Sequence, residues 1–315
     1  MTDSTALRED VQAFNRDLET LLATVEPPNV AGPVETRRAR REGRGIFPPP
    51  VFLPQARDLD IPGRDGPIRL RVLAPTSGAS AGAYLHLHGG GWVLGAADMQ
   101  DVGLQALADS TGLTTVSVDY RLAPEHPFPA GPDDCEDAAL WLLEHGLEEL
   151  DVPRRVAMGG ESAGAHLAVL ALLRLRDAHD RAHAIAGVNL MFGVYDLTLT
   201  PSQRLWGERY LVLSTPLIRW YADCFLPRME SERRREPDVS PLYADLTGMP
   251  PAVFTVGTLD PLLDDSLFLE ARWRAAGNRA DLHVVPDAVH GFTAYPLAVA
   301  AEADARVADF LRALP

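Results

Sequence analysis

Ser162 lies between two glycines in Gly160-Glu161-Ser162-Ala163-Gly164, after a short apolar run (Val156, Ala157, Met158) and before a long Ala/Leu-rich one. Strand, glycine-flanked serine and helix make the context of a nucleophile elbow, a strained turn that lifts the hydroxyl off a sheet. A Cβ at Gly160 or Gly164 would clash with the neighbouring strand or helix. A serine hydroxyl attacks poorly unless a base stands beside it. Of the nine histidines, His290 lies in Pro286-Asp287-Ala288-Val289-His290-Gly291-Phe292, just after the last expected strand and at the edge where the elbow also ends. His283 falls inside that strand, His179 and His183 in a polar helix-end stretch, and His145 at a helix end; these four read as structural or solvated. An acid must fix the imidazole tautomer. Asp260 follows an apolar run in Gly257-Thr258-Leu259-Asp260-Pro261, and Asp196, Asp264 and Asp265 are its rivals. Asp264 and Asp265 read as favourable charges at a helix start, while Asp196 follows a neighbouring strand. The order Ser162, Asp260, His290 is neither chymotrypsin-like nor subtilisin-like. The chemistry these residues could perform is acyl transfer.

Acyl transfer also needs amides waiting for an oxyanion. Gly89, Gly90 and Gly91 follow a strand-ending histidine, where a loop without side chains can approach the serine, and the Ala163 amide opens the helix after it. Nucleotide binding fits poorly. Gly95 comes one residue too late for G-x-G-x-x-G after Gly89-x-Gly91, and Ala165 stands where a phosphate loop needs lysine.

The elements that must carry these residues follow from periodicity. Leu7, Val11, Phe14, Leu18, Leu21 and Val25 make one stripe of an amphipathic helix over 5–25, with Ser4 or Thr5 as its N-cap, ended by Pro27-Pro28. Asp58–Ile61 and Ile68–Leu73 alternate around Gly66-Pro67 as an antiparallel hairpin. Strands are expected at 83–87, 113–118, 156–158, 185–192, 252–256 and 282–285, with helices at 97–110, 134–144, 265–276 and 299–313. Strands alternating with helices imply a mostly parallel sheet covered on both faces. The rhythm breaks at about 198–238, an aromatic segment holding Trp206, Tyr210, Trp220, Tyr221 and Phe225, read as a helical insertion. With the N-terminal helix it could cap the sheet's C-terminal edge.

Composition narrows the partners. The 315-residue chain is 46% hydrophobic and carries a net charge of −15, which argues against nucleic acid or an anionic membrane. All 29 basic residues are arginine, so mechanisms through a lysine Schiff base or a phosphate-loop lysine are excluded. Cys135 and Cys224 match no metal or redox spacing and read as buried free thiols. The start MTDSTALRED lacks a leader pattern and no apolar run reaches membrane-spanning length, so a cytoplasmic protein is expected. Arg37, Arg38, Arg40, Arg41 and Arg44 read as a solvated helix face, with an anion-attracting rim as the alternative.

Five motifs occur in order: His88-Gly89-Gly90-Gly91-Trp92, the stretch Asp119–Ala130 (DYRLAPEHPFPA), Gly160–Gly164, Asp260-Pro261-Leu262 and His290-Gly291-Phe292. Together, over roughly residues 51–313, they resemble the hormone-sensitive-lipase-like family of α/β-hydrolases (bacterial esterase family IV). The resemblance implies an α/β-hydrolase fold: a mostly parallel central sheet flanked by helices, with a helical cap from residues 1–50 and the 198–238 insertion over a catalytic domain of 51–315. It implies Ser162, Asp260 and His290 as the triad, the amides of Gly90, Gly91 and Ala163 as an oxyanion hole, no metal or other cofactor, and often a homodimer. DYRLAPEHPFPA braces the site in such proteins. Glu161 departs from the family, where aspartate or threonine is commoner. The expected activity is a serine carboxylesterase acting on small to medium soluble esters, with Trp92, Trp206 and Tyr210 narrowing its pocket. A lactonase, amidase or carbamate hydrolase would use the same triad. A silent small-molecule receptor would lack His290, and the Arg/Glu-rich segment 228–236 argues against an interfacial lipase.

Overall fold

A computed structural model describes residues 4–315. Its centre is an eight-stranded sheet in the order β1-β2-β4-β3-β5-β6-β7-β8. The strands are β1 (Arg57–Gly63), β2 (Gly66–Leu73), β3 (Ala83–Leu87), β4 (Thr114–Asp119), β5 (Val156–Glu161), β6 (Ile185–Met191), β7 (Ala252–Leu259) and β8 (Ala280–Val289). β2 pairs antiparallel with β1 and β4, and β3 to β8 run parallel. In β2, Ile68, Leu70 and Val72 go inward while Arg69 faces out, the signature of a half-covered strand. β3 is buried along its whole length, as a parallel strand covered on both faces must be.

The helices are α1 (Ser4–Leu22), α2 (Pro28–Ala31), α3 (Pro33–Arg41), α4 (Asp101–Thr111), α5 (Ala130–Trp141), α6 (Leu147–Glu149), α7 (Ala163–Asp177), α8 (Pro201–Trp206), α9 (Thr215–Phe225), α10 (Leu263–Ala275) and α11 (Ala298–Ala313). α7 leaves the elbow and is apolar almost all round, because it lies in the core against β5, β3 and α5. Pro132 sits in the first turn of α5, where a missing N–H costs nothing, so that helix starts four residues before the expected Asp134. Its end runs into a π-type turn, Leu142–Gly146, that holds His145. The 97–110 helix opens as a 3₁₀ turn, Ala97–Gln100, and β7 and β8 both outrun their apolar runs.

The α1 stripe differs from expectation at its end. Val11, Asn15, Leu18 and Leu22 are buried, whereas Leu21 is exposed. The 3.6-residue repeat carries the buried line from 18 to 22, and the helix stops at Leu22, so Val25 lies in the turn beyond. Ser4 is already helical, and the N-cap lies outside the described residues. The N-terminal segment and the insertion meet: α2 packs on α9, and Arg209 hydrogen-bonds Glu19 at 2.8 Å. Cys135 is buried as expected, but Cys224 is half-exposed, because α9 is a surface helix with only one face inward. Among the described residues no helix is long and apolar enough to cross a membrane.

Candidate active site

β5 ends at Glu161 and α7 begins at Ala163, leaving Ser162 as the single residue of the turn, at φ +56°. Only strong local constraints hold a non-glycine residue there. They are visible at the flanking glycines: a Cβ on Gly160 would stand 2.2 Å from the Leu87 carbonyl oxygen, and one on Gly164 1.8 Å from the same atom. The elbow is wedged against the end of β3. The Ser162 N–H is held by the Met191 carbonyl at 2.9 Å, so β6 fixes the turn from the other side.

His290 follows the last residue of β8. Its Nε2 lies 2.9 Å from Ser162 Oγ and its Nδ1 2.9 Å from Asp260 Oδ2. Nδ1–H donates to the carboxylate, which leaves the Nε2 lone pair free to accept the serine proton. Asp260 is buried, and its other oxygen accepts the Leu262 N–H at 2.8 Å. The edge of the imidazole meets the Phe192 ring, 5.1 Å between centroids. Three side chains from separate strand ends thus form one hydrogen-bonded line.

The rival acids have other partners. Asp196 accepts from the Thr198 amide and hydroxyl and from Tyr243 OH, and so closes its own loop. Asp264 accepts the Ser202 N–H. Asp265 takes both the Tyr195 and Asp196 amides on one oxygen and Thr200 OH and Gln203 Nε2 on the other. Burial pushes its carboxyl up to about 7 against those four donors. Both sit in the first turn of α10, and Asp265 also ties the insertion to it.

Beside the serine runs the loop 88–95. Gly90 and Gly91 have φ of +123° and +62°; a Cβ on Gly90 would lie 2.2 Å from the Leu94 carbonyl oxygen, and one on Gly91 2.4 Å from the Tyr221 ring. Among the described residues the amides of Gly90, Gly91 and Ala163 have no acceptor. The preceding amide, Gly89 N–H, is taken by Glu161 Oε1 at 2.6 Å. Gln100 donates to the same oxygen, and His86 Nε2 is 3.0 Å from the other. Burial pushes the Glu161 carboxyl up, but the His86 charge and the bonds from His86, Gly89 and Gln100 outweigh it and hold it below its usual range. His88 stacks on Tyr120, whose hydroxyl donates to the His88 carbonyl at 2.6 Å; burial keeps the imidazole's pKa low. This is how the Asp119–Ala130 stretch braces the loop.

Trp92 is not in an open pocket. Its indole stacks on Phe225 at 4.6 Å and donates to His166 Nδ1 at 3.1 Å, and only 4% of the residue is exposed. Burial lowers His166 to about 4, so it is neutral and spends its own N–H on the Val239 carbonyl. A fully packed Trp92 has no face left for a substrate. Trp206 and Tyr210 are half-buried in the insertion, packed against the cluster that holds Phe192 and Val289.

Two residues without any local motif complete the surroundings. Arg37 donates to the Val93 and Ala123 carbonyls at 2.7 Å each and forms a two-pronged pair with Glu125. The basic cluster is therefore not wholly solvated: Arg37 clamps α3 onto the glycine loop. Phe47 stacks on Tyr295 and lies 3.3 Å from where a Gly291 Cβ would be, next to His290. Nothing in their spacing marks them in the sequence, because both act across long chain separations.

A family model described as the alpha/beta hydrolase fold matches residues 84–294. The chain belongs to this alpha/beta-hydrolase family. Over 320 aligned residues the hydrolase is 33% identical to the carboxylesterase NlhH of Mycobacterium tuberculosis, covering 97% of this chain and 96% of that one. It is 36% identical over 255 residues to the carboxylic ester hydrolase LipN of the same organism, covering 78% of this chain and 66%, just under two thirds, of LipN. The solved hyperthermophilic esterase of the archaeon Pyrobaculum calidifontis superposes with a TM-score of 0.86 at 30% identity, covering 95% of this chain and 97% of that one. The hormone-sensitive-lipase-like affiliation expected from the five motifs holds.

Proposed function

We propose that this hydrolase is a serine carboxylesterase in which Ser162 is the nucleophile, His290 the general base and acid, and Asp260 the residue that orients the imidazole. The observation that carries the reading is the pair of 2.9 Å contacts on the two nitrogens of His290. Relatives of known structure and name, carboxylesterases and esterases covering nearly the whole chain, support ester hydrolysis as the reaction.

In the proposed cycle Ser162 Oγ attacks the ester carbonyl while His290 Nε2 takes its proton. The negative charge developing on the carbonyl oxygen goes to the amides of Gly90, Gly91 and Ala163, which cost no reorganisation because they are already unpaired. The imidazolium, stabilised by Asp260, gives its proton to the departing alcohol. Water then attacks the acyl-enzyme by the same route and frees the acid. Residues 1–50 and 198–238 act as the cap over this site, with Trp206 and Tyr210 on the substrate side. The enzyme is read as cytoplasmic and homodimeric, which fractionation of the source cells and sedimentation of the pure protein test.

The deciding experiment is hydrolysis of p-nitrophenyl butyrate by the wild type and by Ser162→Ala, with fluorophosphonate labelling of both. Activity and label are expected in the wild type and neither in the variant, with unchanged far-UV circular dichroism. Near wild-type turnover in the variant would remove Ser162 from the mechanism.

A further inference from the structure

The basic cluster of the N-terminal segment divides in the fold. Arg37 pairs with Glu125, Arg38 with Glu35, Arg41 with Asp98 and Arg44 with Glu42. Arg40 alone of the five has no carboxylate within 4.0 Å among the described residues, and its side chain makes no hydrogen bond there. It is half-buried, and its guanidinium carbon lies 5.1 Å from the centroid of the Phe47 ring.

What surrounds this cation connects it to the proposed site on two sides. Phe47 packs beside Gly291 and hence beside His290. Tyr221 packs on Gly91, in the glycine loop. The charge of Arg40 acts on the hydroxyls of Tyr210, Tyr221 and Tyr295, easing the rise in pKa that burial imposes on each. Tyr295 OH is spent on the Ile46 carbonyl. The hydroxyls of Tyr210 and Tyr221 feel burial and charge but have no hydrogen-bond partner among the described residues.

We propose that Arg40, with the Tyr210 and Tyr221 hydroxyls, binds a carboxylate carried by the substrate, so that the enzyme prefers half-esters of dicarboxylic acids to neutral esters of the same length. This rests on the esterase reading above. A half-desolvated guanidinium over an aromatic face gains cation–π attraction but keeps all its N–H donors unfilled. A carboxylate matches that planar fork, and phenol donors match its remaining lone pairs. In a protein of net charge −15, an uncompensated cation set over an aromatic ring is also a local attractor for anions. The other four arginines of the cluster cannot serve, since their forks are already occupied.

The test compares mono-p-nitrophenyl glutarate with p-nitrophenyl pentanoate, which share acyl length and leaving group. The quantity read is the ratio of kcat/KM for the anionic to the neutral ester. In Arg40→Gln this ratio is expected to fall about tenfold or more, through KM of the glutarate, as for loss of a charge-assisted contact. Arg40→Lys is expected to lie between, because it keeps the charge and loses the fork. For the wild type alone, raising sodium chloride should lower the ratio, a readout that does not depend on any variant folding. A ratio unmoved by both Arg40→Gln and salt, with the two esters falling together in the variant, would mean that Arg40 only packs on Phe47 and would overturn the inference. That outcome leaves the esterase reading intact, since Ser162→Ala tests it separately on the neutral ester.

Discussion

Glu161 Oε1 accepts the Gly89 N–H at 2.6 Å, so the residue before the elbow serine holds the first glycine of the loop that carries the unpaired amides. The proposed nucleophile and the proposed oxyanion donors are thereby registered through one side chain. Glu161→Ala is expected to lower kcat for p-nitrophenyl butyrate about 10- to 100-fold, with a smaller change in KM. That is less than the roughly 10²–10³ lost when a donor itself is removed. Glu161→Gln keeps one carbonyl oxygen for Gly89 and should lose less. Steady-state kinetics decide it; a change confined to KM would place Glu161 outside transition-state stabilisation.

Asp260 and Asp196 separate the two readings of the acid. Asp260→Asn should lower kcat by about 10³–10⁴ through the wrong imidazole tautomer. Asp196→Asn should leave kcat within a few-fold, because its partners are Thr198 and Tyr243. The reverse ranking in the same assay would transfer the role to Asp196.

Asp265 gives the stability a pH dependence of defined sign. Its carboxyl is raised by burial to about 7 in the folded chain, against roughly 3.9 unfolded. The folded state therefore binds this proton more tightly. The contribution is greatest below about pH 4 and is lost as pH rises towards 7. The stability of the wild type relative to Asp265→Asn, from urea unfolding, should fall between pH 5 and pH 7 and then flatten. A relative stability that climbs over that range would mean that the four donors hold the group ionised.

Gly164→Ala is expected to cost about 3 kcal/mol or more, because the added methyl meets backbone rather than a movable side chain. Gly103, inside α4, has open space at its Cβ position and ordinary backbone angles. Gly103→Ala should raise stability by roughly 0.5–1 kcal/mol. Denaturant midpoints of the two variants test the contrast.

The elbow, the strands and the residues of the proposed triad were legible because each rests on a local rule. Gly160 and Gly164 are demanded by one turn, and the parallel strands by short apolar runs. Helix starts were less legible: α5 begins inside a Pro-rich stretch that reads as loop until Pro132 is seen in a first turn. Trp92 was misread because sequence gives residue type without partners, and only the fold shows Phe225 and His166 using up its ring and N–H. The mixed fate of the arginine cluster was invisible for the same reason. Arg37 and Phe47 work through partners more than fifty residues away, which no spacing rule reaches.

The contact between Phe47 and Gly291 joins an early and a late stretch of the polypeptide beside the imidazole. A chain still emerging from the ribosome would already carry Phe47 and its serine elbow but would lack the histidine. On the proposed triad, hydrolytic power therefore waits for β8 to deliver His290, and a message truncated before that strand would yield an inert product.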